Sequence, residues 1–124
     1  MTAKEKALEI LNSNNLCALS TYFSENQQPC VAFVNYFNLD FDLFVIMDKN
    51  SLKFKNLKSH KKVAFAINSN QGTLQAFANA EEIDKTEFLD KHPRLQNPDM
   101  SLVKLVPFDM KVSIEYGKVE QVEL

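Results

Sequence analysis

Six runs of β-forming residues follow one another along this chain, most of them joined by only a few residues. They are LCALSTYFS (16–24), PCVAFVNYFN (29–38), LFVIMD (43–48), KVAFAIN (62–68), TLQAFANAEEI (73–83) and SLVKLVPFDMKVSIEYG (101–117). Runs of this length bounded by turn residues read as strands, and short connections favour antiparallel neighbours. ENQQ reads as the turn after the first run, LDFD (39–42) as the turn before the third, and SNQG as the turn before the fifth. The natural reading is a meander. The last run is one long strand or two that meet near Pro107, and KVEQVEL adds an edge strand or frays.

Helical signals interrupt this pattern three times. Ala7, Leu8, Ile10 and Leu11 give residues 3–11 an apolar stripe, which NSNN ends. Ser51 is a good N-cap for a helix over 52–60. KTEFLDKHPRLQNPD (85–99) predicts a short helix broken before Pro93, then a loop. The expected architecture is mainly β (α+β): a six- to seven-stranded antiparallel barrel with an N-terminal helix and short connecting helices. The 124 residues suit one domain, 1–124, and ten phenylalanines with no tryptophan predict a core built largely on Phe.

Composition narrows the function classes. The longest apolar runs, LFVIM and VAFAI, are far too short to span a membrane. MTAKEKALEILNSNN lacks an apolar signal segment, so the cytoplasm is the expected location. A net charge of −2 argues against nucleic acid as a partner. Gly72 and Gly117 are the two glycines, which disfavours phosphate loops built on glycine. A phosphate would need side chains and a helix start instead. Cys17 and Cys30 fall on neighbouring strands, offset in pairing by about seven residues or roughly 23 Å. That is too far for a disulfide, and two isolated cysteines make no zinc site; no metal is expected.

Positive charge gathers in KNSLKFKNLKSHKK (49–62), where six of fourteen residues are lysine. On a helical wheel Phe54 and Leu57 lie about 60° apart and form the buried stripe. Lys53 flanks Leu57, while Lys55 and Lys58 lie beyond Phe54 on the other side. The lysines therefore do not serve one ligand. Lys53 sits in the first turn beside free N–H groups, where the helix dipole favours an anion, and Ser51 could donate its hydroxyl. Lys55, Lys58, Lys61 and Lys62 read as solvated.

The ordered set PCVAFVNYF, LFVIMDKNSLKFKNLKSHKKVAFAIN and LQAFANAEEI resembles the pyridoxamine 5′-phosphate oxidase-like family, whose members are FMN-binding split β-barrels. The features are P-x-V-x-x-V on one strand, S-x-K opening a helix before K-V-A, and A-E-E closing the next strand, over about residues 5–84, with a weaker match in the C-terminal strand region. The resemblance implies a homodimer with FMN at the subunit interface. It implies that Ser51 and Lys53 hold the FMN phosphate and that Phe33, Val34 and Asn35 lie along the isoalloxazine. Met47 and Asp48 would end their strand beside the phosphate, and Thr73 or Gln75 would reach the cofactor from the partner chain. Four positions depart from the pattern: Ala32 replaces a common arginine, Leu52 a basic residue, Met47 a threonine and Ala78 a glycine. The oxidases' C-terminal Trp and Arg have no counterpart, so the vitamin B6 reaction is not expected. The implied function is an FMN-dependent oxidoreductase for an unidentified small molecule. The alternatives are a binding module for another ligand such as haem, or a structural dimeric barrel.

Other candidates are weaker. His60 and His92 have no metal-ligand spacing. His92 lies in a loop able to rim a pocket, and Arg94, the one arginine, could bind an anion there. Glu81 and Glu82 point to opposite faces of a strand and make no catalytic pair. Asp40 and Asp42 read as turn residues.

Overall fold

The computed structural model describes residues 1–23, 28–115 and 117–124. The chain runs α1 (Ala3–Asn12), β1 (Leu16–Phe23), β2 (Gln28–Asn35), β3 (Phe37–Leu39), β4 (Asp42–Asp48), α2 (Leu52–Ser59), β5 (Lys62–Ser69), β6 (Gly72–Ile83), β7 (Met100–Glu115) and β8 (Lys118–Val122). Apart from Gln28, the turn expected at ENQQ lies outside the described residues, as does Tyr116 within the last expected run.

The eight strands form one antiparallel sheet in the order β2-β1-β5-β6-β7-β4-β3, with β8 beside β7. The two ends of that order, β2 and β3, are consecutive in the chain and separated by Tyr36 alone. A sheet whose end strands meet at one residue must curl back on itself, which makes this a split barrel. The expected meander therefore holds only in part. β4 pairs with β3 and β7, and β1 closes against β5. The single strand expected over 29–38 is two strands. The break comes at Tyr36, whose N–H bonds the Asn15 carbonyl at 2.9 Å and whose buried hydroxyl donates to the Leu11 carbonyl at 2.8 Å. A buried hydroxyl needs such a partner, and this one draws the chain off the line of β2.

Strand β7 is one long element rather than two. Phe77 pairs with Asp109 but Ala78 with Pro107, so Phe108 is the extra residue of a bulge. Proline lacks a ladder N–H and is tolerated at such a point. The expected helix over 85–92 is replaced by 3-10 turns at Thr86–Phe88 and Pro93–Gln96. This segment packs Leu95, Phe88 and Leu89 on Phe37, Phe44, Ile46, Ile83 and Leu102, forming a second small core outside the barrel. The main core fills the barrel and takes Ala7, Ile10 and Leu11 of α1, with Phe54 and Leu57 of α2. The expected Phe-built core is mainly aliphatic: Leu, Val, Ile and Met dominate, and Phe33, Phe77 and Phe108 face outward.

Cys17 is buried and Cys30 half-buried, and both are free thiols. Cys30 pairs with Thr21, so the offset is four residues rather than seven, roughly 13 Å of strand, still beyond a disulfide. Burial pushes the Cys17 thiol up to about 12, which keeps it an inert neutral hydrophobe.

Candidate functional site

Strand β4 ends at Asp48 and hands the chain to α2 through a tight turn. The Asp48 carboxylate accepts from the Asn50 N–H at 2.8 Å, and its carbonyl accepts from the Ser51 N–H at 3.0 Å and the Ser51 hydroxyl at 2.7 Å. Ser51 Oγ in turn accepts from the Phe54 N–H at 3.3 Å, the N-cap role its residue type predicts. The hydroxyl proton thus belongs to Asp48, and contact with a ligand would require it to turn away. The N–H groups of Leu52 and Lys53 are those a helix start leaves without intrahelical partners.

Two attachments hold α2 in place. Asn56, fully buried, donates to Thr21 Oγ1 on β1 at 3.1 Å. Lys58 reaches Glu82 at 3.1 Å, and Ser101 donates to the same carboxylate at 2.6 Å. The Ser101 bond is the main cause, with Lys58 adding to it, that holds the Glu82 carboxyl below its ordinary value. Lys58 is exposed, as expected, and also tethered to β6. Thr21→Val should leave the buried Asn56 amide without its acceptor. We expect a loss of about 1–3 kcal/mol, read by denaturant unfolding.

Two cavities meet at Lys53. One, of about 210 Å³, is lined by Leu19, Thr21, Cys30, Val31, Ala32, Ser51 and Leu52 as well as Lys53. It brings Ser51 and Lys53 against β2 at Ala32. The other is a cleft of about 320 Å³ that gathers Phe33, Val34 and Asn35 of β2 with Lys53, and adds Tyr36, Phe37, His92 and Arg94. The sequence-predicted residues Ser51, Lys53, Phe33, Val34 and Asn35 thus share one continuous region. Met47 is fully buried in the core and lines neither cavity, so it offers the region only backbone. Asp48 acts through the turn just described. Thr73 and Gln75 line a different cavity on the outer face of the sheet, with Phe33 and Ala18. Within one chain they do not meet Lys53.

Sequence reasoning treated Arg94 and His92 separately from the lysine helix, yet all three line one cleft. His60 lies apart, its ring 5.1 Å from that of Tyr22. Among the described residues, no three His, Cys, Asp or Glu side chains are grouped to hold a metal.

The model of the pyridoxamine 5′-phosphate oxidase family matches residues 3–102. This chain belongs to that family. The match extends past the resemblance read from the sequence and takes in the 84–99 segment that carries His92 and Arg94. Solved structures share the fold at low identity. A haem-binding protein from Mycobacterium smegmatis superposes with a TM-score of 0.84 at 20% identity, covering 98% of this chain and 58% of its own. General stress protein 26 from Bacillus anthracis str. Sterne gives 0.79 at 21%, covering 96% and 98%. An FAD-binding protein from Mesorhizobium loti gives 0.69 at 13%, covering 88% and 90%. No curated protein sequence matches the chain. Among the described residues, no helix is long and apolar enough to cross a membrane.

Proposed function

We propose that this member of the pyridoxamine 5′-phosphate oxidase family binds FMN as a homodimer and acts as an oxidoreductase on a small molecule. The observation that carries the reading is the start of α2, where Ser51, Lys53 and two free helix N–H groups border a cavity floored by β2. The donor set fits a phosphate: one ammonium, a helix dipole and N–H groups aimed outward. With Ala32 in place of an arginine, that phosphate meets one side-chain cation rather than two. Val34 is buried, so β2 would meet the flavin ring mainly through its backbone and through the exposed Phe33 and Asn35. Bound FMN would supply hydride and electron transfer, while the protein positions it and excludes water. Thr73 and Gln75, remote from Lys53 within the chain, would reach the cofactor from the partner.

Absorbance spectra with and without FMN and FAD test this reading. A protein that takes up neither flavin at micromolar concentration overturns it. Lys53→Ala should weaken FMN binding by about 1.5–3 kcal/mol, the worth of a hydrogen bond to a charged group. Lys55→Ala, on the exposed face of α2, should leave it unchanged. Equal losses in the two variants would refute the division of the lysines.

A haem reading has one observation in its favour: an imidazole, His92, on the wall of the cleft. A Soret shift on haem addition that disappears in His92→Ala would support it. Haem without such a shift counts against it.

A further inference from the structure

The flavin reading leaves one wall of the 320 Å³ cleft unused. That wall is the turn at Pro93–Gln96, which carries Arg94. The turn is firmly built. Leu95 is fully buried in the second core, and its N–H bonds the His92 carbonyl at 2.9 Å. The His92 ring stacks on Phe37 at 4.1 Å between centroids, with the planes 12° apart. Farther on, the Lys85 ammonium donates to the carbonyls of Asn97 and Met100 at 3.1 and 2.8 Å and ties down the end of the segment.

Arg94 itself is uncommitted. Among the described residues its guanidinium joins no ion pair or hydrogen bond, although other surface cations of the chain do. No aspartate or glutamate lines the cleft, while Phe33, Phe37 and Phe44 give it aromatic walls. An unpaired guanidinium carried on an anchored turn at the edge of a cleft with aromatic side chains matches a planar carboxylate, which accepts its two parallel N–H bonds. A single cation balances a single carboxylate, with Lys53 left for the phosphate of the cofactor.

We propose that this end of the cleft is a substrate subsite for a small aromatic carboxylate, its carboxylate on Arg94 and its ring beside Phe37 and His92. That this ligand is the substrate rests on the flavin reading; the subsite itself does not.

Calorimetric titration of the purified protein with 2-naphthoate and its neutral analogue 2-naphthamide tests the proposal. Naphthoate should bind about 10-fold more tightly than the amide, the effect of one charge-assisted hydrogen bond. Arg94→Gln should abolish that preference, and Lys91→Gln, which does not line the cleft, should retain it. Naphthoate should also shift the His92 ring protons in NMR spectra. Equal binding of acid and amide, no binding at millimolar concentration, or a preference that survives Arg94→Gln would each overturn the subsite. FMN uptake by Arg94→Gln should match the wild type. An Arg94-dependent preference in a protein that takes up no flavin sinks only the flavin reading. Flavin uptake without the preference sinks only the subsite.

Discussion

Gly72→Ala should destabilise the protein by about 3 kcal/mol or more, lowering its melting temperature by roughly 10–15 °C. Gly72 opens β6 after the SNQG turn with φ +136, a backbone region essentially closed to other residues. A Cβ there would lie 2.4 Å from the Ser113 carbonyl oxygen on β7, and 3.5 Å from Ile10 of α1. The close neighbour is backbone in a paired strand, so relief means parting β6 from β7. Gly117 supplies the control. Its φ is +80, but a Cβ there would meet nothing within 4 Å. Gly117→Ala should cost only the strain of the left-handed conformation, about 1–2 kcal/mol. Thermal unfolding of both variants separates the two effects, and equal melting shifts would show that the Ser113 contact carries no weight.

Local chemistry made much of this fold legible. Ser51 before an apolar pair spaced three apart predicted α2, and its cap bond and the buried Phe54 and Leu57 follow from that pattern. What the sequence could not display were effects that depend on distant partners. PCVAFVNYFN is one unbroken run rich in β-formers, yet the chain breaks at Tyr36 because Leu11 and Asn15 take its hydroxyl and N–H. Asn56 is buried on an otherwise lysine-rich helix, and Thr21, thirty-five residues earlier, supplies the partner for its amide. Arg94 carried a signal as the one arginine in a loop, but its meeting with Lys53 required the second core that seats Leu95. The predicted helix over 85–92 failed because its apolar residues Phe88 and Leu89 serve that core from a short 3-10 turn.

The second large effect concerns the outer face of β1, β2, β5 and β6. If the proposed FMN-binding homodimer forms through this face, Phe33→Asp combined with Phe77→Asp should convert it into a monomer that no longer takes up FMN. Val31 is 74% exposed, Phe33 78%, Phe77 56% and Phe108 51%. Val31 and Phe77, whose ring stacks with that of Phe108, border a groove of about 380 Å³ floored by Ala18, Ala64 and Ala66 and lined also by Asp109 and Lys111 of β7. Large aromatics rimming a floor of small residues make a surface that excludes water well once covered. A second copy is the occupant we propose, because Thr73 and Gln75 line a cavity on this same face and share Phe33 with the cleft that holds Lys53. Covering the face would therefore bring one chain's Thr73 and Gln75 toward the other chain's cleft. Each aromatic at the centre of such an interface contributes about 2–4 kcal/mol to association, and a buried aspartate in its place adds a desolvation penalty. Both aromatics are exposed within one chain, so the variant should fold normally as judged by circular dichroism. Light scattering gives the mass, and absorbance gives the flavin. A variant that remains dimeric would remove this face as the interface, and a monomer that still binds FMN as tightly as the wild type would remove the partner chain from the cofactor site.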